Sequence, residues 1–80
     1  MVRRSRYEIF FCILKLCDRR EGAGITRIVY GCNLNFKSAD EYIQQLVEAE
    51  MLEEVGVERR TYRTTEKGKE FCRKFEGIML

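Results

Sequence analysis

The sequence predicts a mostly helical α+β fold in one domain spanning residues 1–80, and three observations carry the prediction. Apolar residues recur at helical spacing over residues 36–49, directly after an asparagine-rich turn at 32–35. Two short β-branched and aromatic runs within 52–65 follow, bracketing a basic turn. Two further apolar-striped segments, over residues 6–20 and 66–78, flank this centre. Eighty residues hold one core and no second domain. With 45% hydrophobic and 35% charged residues and no low-complexity run, the composition is that of a folded soluble chain rather than a disordered one.

Ser5 followed by Glu8 has capping-box spacing and predicts a first helix over residues 6–20. Its apolar residues, among them Tyr7, Ile9, Phe10, Phe11, Ile13, Leu14 and Leu16, wrap more than half of the circumference. So wide an arc belongs either to a helix central to the core or to one whose second side meets another subunit. Glu21 to Gly24 then turns the chain. Thr26 is the expected cap of a short second helix over 27–31, and Gly31 the expected left-handed corner after it.

Asn35 is the natural N-cap of the central helix. There Phe36, Ala39, Tyr42, Ile43, Leu46 and Val47 make one stripe, expected in the core. Lys37, Glu41, Gln44, Gln45 and Glu48 lie opposite, with Ser38 at the flank. Residues 52–55 and 61–65 read as strands joined by a turn at 56–60, with Arg59, Arg60 and Arg63 making the hairpin basic. Thr65 caps a last helix whose Phe71, Cys72, Phe75, Ile78 and Met79 form a narrow apolar stripe. Together the order is a winged helix-turn-helix: a three-helix core, a two-stranded wing and a C-terminal helix.

The formal charge of +2 is unevenly spread. Residues 1–20 sum to +4, residues 37–54 to −5 and residues 55–80 to +3, so the ends are basic and the middle acidic. Cys12, Cys17, Cys32 and Cys72 form no CxxC pair and the chain has no histidine, which argues against zinc and leaves no metal expected. They read as small hydrophobes, with disulfides open in a hyperthermophile and pairing not deducible from spacing. Cys32, near the start of the central helix, admits a redox-sensing thiolate or a packed thiol. The N-terminus imitates a secretory signal, but Glu8 and Lys15 interrupt its apolar run, which is also too short to span a bilayer; a cytoplasmic, nucleoid-associated chain without membrane contact is expected.

The run from Thr26 to Lys37, the stretch from Tyr42 to Leu52 and the segment Tyr62-Arg-Thr-Thr-Glu-Lys-Gly-Lys-Glu-Phe71 resemble the archaeal winged-helix DNA-binding family. The similarity is closest to the Sulfolobus 10a-type chromosomal DNA-binding proteins and extends to related winged-helix regulators. It covers residues 4–75. The resemblance implies a double-stranded DNA-binding domain, a transcription regulator or chromosomal protein, whose helix at 36–49 enters the major groove while the 56–60 loop runs along the backbone. Family members often dimerise through a long C-terminal helix. Gly77 interrupts its counterpart in a sequence that runs to Leu80, so the expected homodimer contact is a smaller one made by the first and last helices with Ile78, Met79 and Leu80.

For such a role the phosphate candidates are Arg3, Arg4, Arg6, Arg27, Lys37, Arg59, Arg60 and Arg63. Asn35, Ser38, Gln44 and Gln45 are base-edge candidates, each glutamine being equally consistent with a solvated side chain. Glu41 can accept from cytosine, yet with Glu48 it also repels phosphates. The N-terminal half of the helix alone is therefore expected in the groove, with Glu48 facing away. The other reading is a protein-interaction module that uses the acidic middle and the apolar end helices. Without histidine or a glycine-rich phosphate loop, no enzyme and no cofactor are expected.

Overall fold

A computed structural model describes residues 4–56 and 59–79. Helix α1 (Arg6–Cys17) is followed by β1 (Ala23–Gly24), α2 (Ile25–Gly31), α3 (Phe36–Glu48), β2 (Leu52–Val55), β3 (Thr61–Thr64) and α4 (Glu66–Met79). The capping box forms as its spacing requires. Ser5 Oγ accepts from the Glu8 amide at 3.2 Å, and the Glu8 carboxylate accepts from the Ser5 amide at 3.3 Å.

Helix α1 ends three residues earlier than its apolar pattern predicts. Asp18 leaves helical geometry, and Gly22, at φ 72, carries the chain directly onto the sheet. A side chain at Gly22 would stand 2.6 Å from the Tyr62 carbonyl oxygen, so both the conformation and the close approach require glycine. The next element is a strand that the sequence pattern does not announce. Ala23 and Gly24 pair antiparallel with Tyr62 and Thr61, adding a third strand to the expected two-stranded wing of β2 and β3 and giving the order β1-β3-β2. Two residues, one of them glycine, are too few to show alternation.

Gly24, not Thr26, is the cap of α2, and it offers no side-chain bond. Nor does Gly31 make the corner. Asn33 takes the left-handed conformation at φ 55, and the Leu34 amide returns to the Val29 carbonyl at 2.9 Å. Gly31 serves packing instead: a Cβ there would meet Leu16 at 2.8 Å. Glu50 closes α3 in the same way at φ 63, with the Met51 amide on the Leu46 carbonyl at 2.9 Å.

The core joins Ile13, Leu14 and Cys17 of α1 to Ile28, Ile43, Leu46 and Leu52, with Tyr62 over them from β3. Thr64 is the buried polar residue in it. Its hydroxyl donates to the Leu14 carbonyl at 2.6 Å, satisfying one of the acceptors that the end of α1 leaves open. Next to it, the Thr65 hydroxyl accepts from the Gly68 amide at 3.2 Å and donates to the Glu50 carbonyl at 2.7 Å. A Cβ at Gly68 would run into the Met51 carbonyl oxygen and stand 2.7 Å from the Thr64 methyl. The Thr-Thr-Glu-Lys-Gly segment is thus the clasp between β3, the start of α4 and the end of α3.

Helix α4 passes through Gly77 without a break and lies along α1. Phe11 and Phe75 rings sit 4.9 Å apart, and Tyr7, Phe71 and Ile78 continue the seam outward into an apolar groove also lined by Phe75 and Lys74. No helix among the described residues is long and apolar enough to cross a membrane.

Candidate nucleic-acid interface

Helix α3 presents its polar face to solvent because Ala39, Ile43 and Leu46 fix the opposite face in the core. Lys37, Glu41, Gln44, Gln45 and Glu48 line that side, all of them exposed, and Ser38 sits at the flank. Asn35 Oδ1 accepts from the Ser38 amide at 2.7 Å, so the cap employs the amide oxygen and leaves the N–H groups of Asn35 as donors. Glu48 is exposed on the same face as Lys37. Eleven residues from Lys37 return it to the same side of the helix, but about 16 Å further along the axis. Its separation from Lys37 is therefore axial rather than angular.

Phe36 departs from the expected stripe. It is 52% exposed at the first position of α3, beyond the end of the packed core. Tyr30 is 78% exposed on α2, one turn after Arg27. It is absent from the candidates that sequence alone suggests, although a signal for it exists. Arg27 and Tyr30 are three apart and flank the buried pair Ile28 and Val29, so they share the outer face.

The basic residues separate into two kinds. Arg27, Arg59 and Arg60 line one groove with Gly24, Ile25, Thr26 and Thr61, so the first turn of α2 and the base of the wing face a common space. β1 is what brings them together, since Gly24 pairs with Thr61. Arg60 has a loose ion pair with Glu54 at 3.8 Å, 79% and 48% exposed, too solvated to hold it. Arg6 is exposed at the start of α1. The wing tip at 57–58, together with Arg3 and Leu80, lies outside the described residues.

The other kind is engaged within the protein. Arg4 donates to the Cys32 carbonyl at 2.6 Å and to the Asn33 carbonyl at 3.3 Å, placing a guanidinium on the acceptors at the end of α2. Arg63 bonds Glu53 at 3.3 Å and the Arg20 carbonyl at 3.3 Å, on the face where Asp18, Arg19 and Lys69 form a polar depression. Both stay accessible to solvent while making these bonds, Arg4 exposed and Arg63 partly so.

Cys32 is buried and its thiol is pushed up by desolvation, reinforced by a hydrogen bond with Cys12, which removes the thiolate that redox sensing would need. All four cysteines are free thiols, and Cys12 alone is partly exposed.

The chain belongs to the winged helix-turn-helix family, whose pattern matches residues 3–79. Among solved structures it is similar to Sso10a-2, a DNA-binding protein from Sulfolobus solfataricus, with a TM-score of 0.84 and 37% identity over 95% of this chain and 79% of that one. It shares its fold with the DNA-binding TubR fragment from Clostridium botulinum, with a TM-score of 0.73 and 16% identity over 94% of this chain and 98% of the other. No curated protein sequence matches it.

Proposed function

We propose that the protein binds double-stranded DNA, with the first turns of α3 in the major groove and the α2–wing groove on the phosphate backbone. The observation that carries the reading is the convergence of Arg27, Arg59 and Arg60, from segments more than thirty residues apart, on one open groove. The similarity to a DNA-binding protein at 37% identity supports it. With Arg4 and Arg63 engaged internally, Arg6, Arg27, Lys37, Arg59 and Arg60 are the phosphate ligands. Ser38, Gln44 and Gln45, with the N–H groups of Asn35, face the bases, and Glu41 takes a cytosine amine or water. The chain has no catalytic part in this role.

The same reading includes a homodimer through the groove of Tyr7, Phe71, Phe75 and Ile78, because two such apolar strips are self-complementary about a two-fold axis. Bound DNA would place the protein in the nucleoid.

Anisotropy titration of duplex DNA against salt tests the proposal. Five phosphate contacts give a slope of log K against log salt of about −4.5 per protomer. Arg27→Ala should weaken binding to every sequence alike and make the slope shallower by about 1. Absence of binding at low salt removes the proposal.

A further inference from the structure

We propose that Phe36 is a base-reading residue that contacts the C5-methyl group of thymine at the edge of the major groove. This deepens the DNA-binding reading and rests on it.

Phe36 has core spacing but not core burial. Ala39, Ile43 and Leu46 are 0–1% exposed, whereas Phe36 leaves half its surface in water. The reason is position: it is the first residue of α3, and a helical side chain leans toward the N-terminus, so the ring projects beyond the end of the core that its stripe helps to build. The cap and the adjoining turn do not use the ring, because the cap is made by Asn35 and the turn is closed by the Leu34 amide on Val29.

That place is also the leading end of the helix proposed to enter the groove. Lys37 follows Phe36 in the chain, and the exposed polar line of α3 begins there. A recognition helix meets base edges mainly with its N-terminal residues. Phe36 lies at the flank of that polar line, not at its middle. Across a base pair the hydrogen-bonding atoms occupy the middle of the major-groove edge, and the thymine methyl sits at the pyrimidine side. A polar centre with an apolar flank therefore matches an A·T edge: amide groups toward the purine and the ring over the methyl.

The alternating polymer poly(dA-dT) and its methyl-free counterpart poly(dA-dU) test this without a known target sequence, since every register either carries the methyl or lacks it. Burying one methyl group corresponds to roughly a three- to fivefold change in affinity. The wild-type chain should bind poly(dA-dT) tighter by about that factor, and Phe36→Ala, checked for unchanged melting, should bind both polymers equally. Phe36→Leu, which keeps an apolar side chain, should retain part of the preference. Equal wild-type binding to the two polymers, or a preference that survives in Phe36→Ala, overturns the assignment while leaving DNA binding intact. If neither polymer is bound at low salt, the DNA-binding reading fails and the assignment with it.

Discussion

Two single residues show how the backbone sets what a side chain may be. Glu50 closes α3 in the left-handed region at φ 63, a conformation that costs a residue with a Cβ about 1 kcal/mol relative to glycine. Its contribution to the clasp is its carbonyl, which accepts from Thr65, and not its carboxylate. Glu50→Gly should therefore raise stability by about 0.5–1 kcal/mol in urea denaturation. Gly68 is the opposite case. Its conformation is ordinary, yet the Met51 carbonyl and the Thr64 methyl leave no room for a Cβ, and Gly68→Ala should lower stability by about 1–3 kcal/mol in the same assay despite the better helix propensity of alanine. A Gly68→Ala variant as stable as the wild type would show that the clasp yields. Sequence spacing gives no reason for a glycine at position 68. Only the approach of the end of α3 explains it.

Among the elements, α1, α3 and α4 are legible in the sequence because each has a long apolar period and a capping side chain, Ser5, Asn35 and Thr65. β1 is not, since its existence depends on β3 as a partner and leaves no local pattern. The site is legible in part for the same reason. Helical spacing alone puts Lys37 and Gln44 outward, but that Arg27 faces Arg59 and Arg60 while Arg4 and Arg63 bond to the protein's own carbonyls follows from long-range pairing. Spacing also misplaces Phe36, because a period gives direction around a helix and says nothing about what lies beyond its end. At this scale the outer seam of α1 and α4 carries its own test. Tyr7 and Ile78 are 58% and 81% exposed, so Ile78→Glu should leave the fold intact. It should convert a dimer to monomer in sedimentation analysis; an unaltered mass, or a wild-type chain that is already monomeric, removes the dimer.

For the whole molecule, stability should fall at alkaline pH. Burial pushes the Cys17 thiol from an ordinary 9.0 up to about 12, and raises Cys72 and the Tyr62 phenol as well. Above pH 9 the unfolded chain releases the Cys17 proton while the folded chain keeps it. The stabilisation is thus complete below pH 9 and is lost between pH 9 and 12. One such thiol lowers stability by about 1.4 kcal/mol per pH unit in that window. Urea midpoints measured at pH 8 and 10.5 should separate accordingly, and Cys17→Ala, though less stable at neutral pH, should show the smaller separation. Lys15, whose ammonium is held by Glu76 on α4, weakens in the same direction as it deprotonates.

The sheet is bonded through its middle strand, which leaves β2 with a partner on one side only. An edge of that sort is a template on which identical chains can stack. Here it is four residues long and carries Glu53 and Glu54 side by side, so a second β2 laid along it would bring like charges together on both faces. Glu53 and Glu54 thus keep concentrated copies of the chain from zipping together through their sheets.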